Sequence, residues 1–297
     1  MSISVRLSPE LRGWISNNLQ RGCAPADLVA TMIGQQFEPP IAQGLVDAFV
    51  RARVGGVELS DEAVTLDVAP PAYLQEYLYE TPRLPRGNSI VTTDRTIPVA
   101  MRTAQPVIAI LEDVLSAEEC AELIALARPR LQPSTVVDPQ TGEHTIVDYR
   151  NSEGMFFGLA ETPLIARLDA RISQLMNCPV ENGEGLQVLH YVPGGHSTPH
   201  FDFLVPSNAA NIASIQRSGQ RVSSLVVYLN DVESGGETVF PEAGISVTPR
   251  RGNAVYFEYA NSRQQVDHKS VHAGAPVLAG EKWALTKWMR ARRFVGA

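Results

Sequence analysis

A histidine and a carboxylate lie close together near the end of one short segment of the chain, Leu186 to Asp202. The segment reads as a strand, is interrupted at Gly194 and Gly195, and then resumes. Because side chains alternate between two faces of an extended chain, His200 and Asp202 are predicted to lie on the same face. They would provide two of the three ligands of a facial 2-His-1-carboxylate iron(II) site. A His-x-Asp tripeptide is common by chance, so this interpretation needs support elsewhere in the chain.

Two further histidines downstream, His268 and His272, are candidates for the third ligand. His272 ends a predicted strand, and Lys282 follows ten residues later, beyond a turn predicted between Gly274 and Gly280. A strand, a turn and a second strand in this order would place an ammonium group beside the metal. A lysine is a compact point charge suited to a carboxylate. An iron oxygenase that uses 2-oxoglutarate needs such a charge for the distal carboxylate of its co-substrate.

The histidines also form two i, i+4 pairs, His196 with His200 and His268 with His272. On helices, such pairs would be typical of zinc sites. The glycines and the proline around the first pair disfavour a helix there, and the second pair lies in a predicted strand. We therefore expect His196 and His268 to lie at the rim of the site or on the surface.

The composition indicates an ordinary globular protein. The 297 residues are 44% hydrophobic, enough for a sizeable core in one large domain or two smaller ones. The net charge of −7 argues against non-specific nucleic-acid binding. The N-terminal sequence has no apolar signal region, and no window is long and apolar enough to span a membrane. We therefore expect a cytoplasmic protein that interacts with neither nucleic acid nor membrane.

Predicted helices come first and predicted strands follow. Residues 1–56 read as a small helical module, residues 57–104 as a connector with several prolines, and residues 105–297 as the catalytic domain. The module is either a packing or dimerisation cap or a substrate-docking element. Within the catalytic domain, strands are predicted at 185–192, 199–204, 221–229, 237–240, 245–248, 253–258, 266–272 and 282–292. Their even spacing indicates a sandwich or barrel, and hence an α+β chain with a jelly-roll C-terminal half.

A long, ordered set of motifs strengthens this interpretation: LSAEECAELIALA, RNSEG, EGLQVLHYVPGG, PHFD, QRVSSLVVYLNDVESGGETVFPE, VTPRRGNAVYF and SVHAGAPVLAGEKW, followed by KW. Residues 105–292 resemble the prolyl 4-hydroxylase family of 2-oxoglutarate/iron(II) dioxygenases. The resemblance implies a double-stranded β-helix (jelly-roll) core with flanking helices. It implies iron bound by His200, Asp202 and His272. It also implies that Lys282 and Tyr191 contact 2-oxoglutarate.

Several features bear on the substrate. The family often has a tyrosine three residues before the first histidine ligand, where this chain has Ser197 beside His196. The polar insert at 205–220 is predicted to be a mobile lid. Arg221 opens an apolar strand and needs a partner. The substrate-side candidates are Arg150, Ser152, Glu184, Arg221 and Trp288. The alternative for the charged ones is a structural ion-pair network, and for Trp288 an ordinary core position.

The resemblance implies an oxidoreductase that uses Fe(II), O2 and 2-oxoglutarate, releases succinate and CO2, and takes ascorbate as reductant. The expected reaction is 4-hydroxylation of prolyl residues in a peptide or protein. One alternative is a hydroxylase of a free amino acid or small metabolite, which would have a closed pocket. A nucleic-acid demethylase conflicts with the acidic pI, and an inactive binding module conflicts with the intact ligand set. The sequence leaves the oligomeric state open, a homodimer included.

Overall fold

The computed structural model describes residues 2–55, 59–60, 63–67, 76–133, 136–137, 144–145, 152–206 and 209–296. The chain divides into two compact units, Met1–Glu76 and Tyr77–Ala297. None of the helices within the described ranges combines the length and the apolar character that crossing a membrane requires.

The first unit contains three helices and a two-stranded antiparallel sheet. The elements are β1 (Ser2–Val5), α1 (Pro9–Gln20), α2 (Pro25–Gly34), α3 (Pro39–Gly55) and β2 (Val64–Asp67). Ser8 caps α1 by accepting a hydrogen bond from the Leu11 N–H, and proline occupies the first helical position. The apolar faces of the three helices form one buried core. The predicted helical module is therefore confirmed.

The second unit is built mainly from strands. In chain order its elements are β3 (Ser89–Val91), β4 (Thr96–Ala104), β5 (Val107–Leu111), α4 (Ala117–Ala127), β6 (Gln132–Pro133), β7 (Val136–Val137), β8 (His144–Thr145), β9 (Glu153–Phe157), α5 (Pro163–Met176), β10 (Leu186–Tyr191), β11 (Ser197–His200), α6 (Ala209–Ser218), β12 (Arg221–Tyr228), β13 (Ser234–Gly235), β14 (Thr238–Phe240), β15 (Ile245–Val247), β16 (Ala254–Glu258), β17 (His272–Gly274), β18 (Val277–Ala279) and β19 (Lys282–Arg290).

Two antiparallel sheets dominate this unit. Among the described residues, the larger sheet has nine strands in the order β3-β4-β5-β16-β12-β19-β10-β9-β6, and the smaller has four in the order β11-β17-β14-β15. From β10 onward the chain passes repeatedly between the two sheets. Phe240 of the small sheet packs edge-on against Phe257 of the large sheet, with ring centroids 5.2 Å apart. This winding is a double-stranded β-helix, and the predicted α+β jelly-roll fold is confirmed.

Helices flank the large sheet. Ser116 and Glu119 form a capping box at the start of α4. Helix α5 buries an apolar face that includes Leu168 and Ile172. On β19, Lys287 donates a hydrogen bond of 2.8 Å to Asp169 of α5. This contact joins the helix to the side of the sheet that faces away from β11 and β17.

Two segments contain regular structure that the sequence patterns did not predict. Residues 77–104, assigned to the connector, lie in the second unit and contribute β3 and β4 to the large sheet. Prolines and a glycine around these strands obscure the alternating pattern in the sequence. The insert at 205–220, predicted as a lid, contains helix α6 over Ala209–Ser218. Alanine and isoleucine are frequent enough in it to support a helix despite the polar flanks.

Candidate active site

The two histidine candidates and the aspartate meet between neighbouring strands of the small sheet. His200 ends β11 and His272 opens β17, and the two residues are register partners in the antiparallel pair. Each Nε2 atom lies 3.7 Å from one carboxylate oxygen of Asp202. One potential ligand atom from each residue lies within 4.8 Å of the others. These three residues can therefore bind one metal ion.

Backbone carbonyls set the tautomers of both histidines. Nδ1 of His200 lies 2.8 Å from the Thr198 carbonyl oxygen, and Nδ1 of His272 lies 3.1 Å from that of Ser270. A carbonyl oxygen only accepts hydrogen bonds, so each Nδ1 carries a proton, and Nε2 is the nitrogen of each ring that can bind a metal. Burial lowers the pKa of His272 to about 4, so its imidazole is neutral at physiological pH. Two neutral imidazoles and a carboxylate are the donor set of non-haem iron(II) sites.

Asp202 is buried and held at both its side chain and its backbone. The Ser224 hydroxyl donates a 2.6 Å hydrogen bond to Oδ2, and Arg221 donates a 3.2 Å hydrogen bond to the Asp202 carbonyl. Burial alone would raise the pKa of this carboxyl. The histidines, the Arg221 charge and the Ser224 hydrogen bond lower the pKa overall, so Asp202 remains ionised.

A buried lysine lies on the inner face of the large sheet. Lys282 opens β19 and pairs in register with Tyr191 of β10. Its ammonium group lies 5.6 Å from the Tyr191 ring centroid and donates a 2.7 Å hydrogen bond to the Gly236 carbonyl. Burial lowers its pKa to about 8. Lys282 and Tyr191 were both predicted to contact the co-substrate, and the fold places them together.

Lys287, on the same strand, has a carboxylate partner, and Lys282 has none among the described residues. Both lysines are on β19 and are no more than 5% exposed, but Lys287 pairs with Asp169 at 2.8 Å. Within the part of the chain that the structure describes, no carboxylate lies within ion-pair distance of Lys282. A buried ammonium group without an anion is unfavourable. The surroundings of Lys282 therefore suit an anionic ligand.

Three of the substrate-side candidates lie together beside Asp202. Arg221 pairs through two hydrogen bonds with Glu184, at 2.7 and 2.8 Å, and its guanidinium lies 4.2 Å from the Trp288 ring centroid. Arg290 also donates to Glu184 at 3.2 Å. Ser152 is buried just before β9. Arg150 lies outside the described residues.

The rim histidines stay out of the ligand cluster. His268 is exposed and packs edge-on against Phe201, with ring centroids 5.4 Å apart. His196 lies 3.1 Å from the Gly194 carbonyl, and neither histidine pair lies on an α-helix. Ser197, where the family often has a tyrosine, places its Oγ 3.4 Å from Nδ1 of His200. Ser197, the residue that departs from the family pattern, thus lies next to the candidate ligand His200.

Three residues on the inner faces around the site were not predicted from the sequence. Ser224 bonds Asp202, and its Oγ lies 2.9 Å from the Tyr259 hydroxyl. Phe156 shares a face of the sheet with Tyr191, because it is the register partner of Gln187. A buried hydroxyl in an apolar strand needs a partner, which was the signal available for Ser224.

Comparison with known proteins adds an independent line of support. Residues 186–290 match the family model described as 2OG-Fe(II) oxygenase superfamily. Prolyl 4-hydroxylase 1 of Arabidopsis thaliana is 44% identical over 200 residues, covering 62% of this chain and 69% of the relative. The chain belongs to the prolyl 4-hydroxylase family. A probable prolyl 4-hydroxylase 10 of the same plant is 37% identical over 209 residues, covering 64% of this chain and 71% of that relative.

A search of solved structures also finds similar proteins over part of the chain. A viral collagen prolyl hydroxylase from Paramecium Bursaria Chlorella virus-1, in its 2OG complex, is 28% identical with a TM-score of 0.49, covering 62% of this chain and 96% of that chain.

Membership of this family makes the protein an oxidoreductase, a dioxygenase that depends on Fe(II), 2-oxoglutarate and O2. The residues of the site fit these groups. Two imidazoles with one carboxylate suit Fe(II), and a buried ammonium group without a carboxylate partner among the described residues suits the dianionic co-substrate.

Proposed function

We propose that this protein hydroxylates prolyl residues of a peptide or protein at carbon 4. In this proposal His200, Asp202 and His272 bind the iron, and Lys282 and Tyr191 hold 2-oxoglutarate. Ascorbate is the proposed reductant. When iron and co-substrate are bound, oxidative decarboxylation of 2-oxoglutarate to succinate and CO2 supplies the oxidising power for inserting one oxygen atom into a C–H bond. Relatives named prolyl 4-hydroxylases at 37–44% identity support the choice of substrate.

The charges beside the metal cluster favour a peptide over a free amino acid. A free amino acid carries an ammonium and a carboxylate, and each needs an opposite charge when bound. Among the described residues, Glu184 and Arg221 form a charged pair at this position, and their two hydrogen bonds already join them to each other. Separating such a buried pair would cost about 3–5 kcal/mol. A neutral peptide backbone makes no such demand, and this observation carries the proposal.

The site is also open on one side. The side chain of His200 is 43% exposed, whereas His272 and Asp202 are buried. Phe156 is 51% exposed on the inner face of β9, next to β10. An exposed aromatic side chain on the same face of the sheet as Tyr191 suits a polypeptide that extends beyond the reacting residue. A hydroxylase of a small metabolite would instead enclose its substrate.

The deciding experiment is mass spectrometry of products formed with Fe(II), 2-oxoglutarate and ascorbate. Proline-containing peptides and free L-proline are supplied separately at equal concentration. The expected product is a peptide heavier by one oxygen atom, with hydroxylation at carbon 4 of proline. If free proline were oxidised and no peptide were, the protein would instead be the hydroxylase of a small molecule.

Replacing Phe156 by alanine is expected to raise the KM for a peptide substrate about tenfold, because an aromatic contact of this kind contributes more than 1 kcal/mol. The KM for 2-oxoglutarate and the melting temperature should change little, since the side chain is half exposed. Steady-state kinetics with each substrate varied in turn measure the effect.

Val91 provides the matched control. It is 75% exposed on β3, at the opposite edge of the large sheet from the β9 side. Val91→Ala should leave both KM values unchanged. Equal peptide KM values for the Phe156→Ala, Val91→Ala and unmodified proteins would exclude Phe156 from the peptide groove.

A further inference from the structure

Two buried hydroxyl groups extend in series from Asp202, the first on β12 and the second just after the neighbouring strand β16. Ser224 of β12 lies 2.6 Å from Oδ2 of Asp202, and the Tyr259 hydroxyl, just after β16, lies 2.9 Å from Ser224 Oγ. Ser224 and Tyr259 are both 0% exposed. Water therefore does not compete for these hydrogen bonds, and each hydroxyl is restricted to the partners that the protein provides.

Each hydroxyl group has one proton to donate, and this fixes the direction of the two hydrogen bonds made by Ser224. An ionised carboxylate only accepts, so the single hydroxyl proton of Ser224 is donated to Asp202. The Ser224 oxygen must then accept from Tyr259. Burial and the Asp202 charge raise the pKa of Tyr259 well above its ordinary value, so the phenol keeps the proton that this arrangement requires. The order of donation is thus Tyr259 to Ser224 to Asp202.

Tyr259 is itself firmly held. Its backbone N–H donates to the Val222 carbonyl at 3.0 Å, and its carbonyl accepts from the Asp267 N–H at 2.8 Å. Its ring packs against Phe257 and Phe203, with centroids 5.8 and 6.2 Å apart. The phenol therefore has a fixed position from which it orients the serine hydroxyl.

We propose that Ser224 and Tyr259 are positioning residues that fix the rotation of the Asp202 carboxylate. With Oδ2 engaged by Ser224, Asp202 offers the metal one oxygen, Oδ1, and Tyr259 acts only through Ser224. This inference rests on the proposed role of Asp202 as an iron ligand. Partners that orient a ligating carboxylate commonly change metal affinity about 10- to 100-fold when removed.

The test measures the Kd of Co(II) by visible absorption under anaerobic conditions with the full-length protein. Ser224→Ala is expected to raise the Kd about 10- to 100-fold. Tyr259→Phe should raise it by a smaller factor, because Asp202 keeps its bond from Ser224. The double variant should bind no more weakly than Ser224→Ala alone, and Ser224→Thr, which retains the hydroxyl, should restore affinity.

Matched controls come from the other face of the same two strands. Ser223 and Tyr256 are also 0% exposed. Ser223 precedes Ser224 on β12, and Tyr256 precedes Phe257 on β16. Because side chains alternate along a strand and Ser224 and Phe257 face the site, Ser223 and Tyr256 point away from it. Ser223→Ala and Tyr256→Phe remove the same hydroxyl groups and should leave the Co(II) Kd unchanged. If the substitutions acted only by loosening the packing, all four variants would have a lower melting temperature. The Co(II) Kd would then not differ between the site-facing pair and the control pair.

Asp202→Asn separates this inference from the proposed function. Loss of Co(II) binding in Asp202→Asn with unchanged Kd in Ser224→Ala and Tyr259→Phe would overturn the positioning role alone. Unchanged Kd in Asp202→Asn would overturn the iron-ligand assignment itself. Additive effects of Ser224→Ala and Tyr259→Phe would overturn the serial arrangement. If Ser224→Ala does not fold, Tyr259→Phe and Ser224→Thr provide the same comparison.

Discussion

Asp202→Ala is expected to abolish succinate release, with a loss of at least about a thousandfold in kcat/KM. A histidine binds a metal through a neutral nitrogen, so Asp202 supplies the negative charge of the proposed ligand set. Metal coordination contributes several kcal/mol to such reactions, and each 1.4 kcal/mol corresponds to a factor of ten in rate. Succinate measured in the presence and absence of peptide shows whether both the coupled and uncoupled reactions are lost.

Asp202→Asn distinguishes the loss of charge from the loss of volume. The amide oxygen can still accept the Ser224 hydrogen bond, so the local packing should persist while the negative charge is removed. We expect turnover to be lost in this variant too, with a normal circular dichroism spectrum. Asp231→Asn removes an exposed carboxylate that caps the Arg251 N–H and should retain full turnover. Wild-type rates in Asp202→Asn with iron bound would refute the assignment.

Much of the second unit follows from patterns within the chain. The predicted strand at 221–229 became β12 because a long apolar run with β-branched residues suits a buried strand. Residues 163–176 form α5, since Thr162 caps the helix and proline begins it. Both patterns are local, and residues within about one turn or one strand of each other are enough to produce them.

Features that depend on distant residues could not be predicted in the same way. Spacing alone left both His268 and His272 as candidates for the third ligand. The choice between them depends on the strand pairing that places His272 opposite His200. The strand predicted at 266–272 in fact begins at His272, because His268–Ser270 form a 3-10 turn capped by Asp267. Capping and pairing of this kind depend on tertiary contacts, which a sequence pattern does not contain.

Lys282→Ala is expected to raise the KM for 2-oxoglutarate about a hundredfold. The side chain is buried, and charge-assisted hydrogen bonds contribute about 1.5–3 kcal/mol each, so loss of one or two accounts for an effect of this size. 2-Oxovalerate, which lacks the distal carboxylate, tests the reason. The unmodified protein should strongly prefer 2-oxoglutarate, and Lys282→Ala should lose this preference. A retained preference would show that another group holds the distal carboxylate.

Lys287→Met is the contrasting control on the same strand. It removes the partner of buried Asp169, so the variant should lose about 3–5 kcal/mol of stability. Its KM for 2-oxoglutarate should not change, because Lys287 faces α5. Lys282→Ala removes a buried charge that has no carboxylate partner among the described residues, so its stability without co-substrate should be unchanged or higher. Opposite effects on stability and on KM thus identify which lysine serves the co-substrate.

The same lysine predicts an alkaline limit for co-substrate binding. Burial depresses the pKa of Lys282 to about 8, so the charged form predominates below pH 8 and is lost as the pH rises above it. Log kcat/KM for 2-oxoglutarate should therefore be level below this pH and fall about tenfold per pH unit above it. Because a bound carboxylate favours the ammonium form, kcat should fall only at higher pH. Lys282→Arg should remove the decline, since a guanidinium stays charged. With 2-oxovalerate the unmodified protein should show no decline near pH 8, because no carboxylate depends on the lysine charge; an equal decline with both co-substrates would assign the titration to another group.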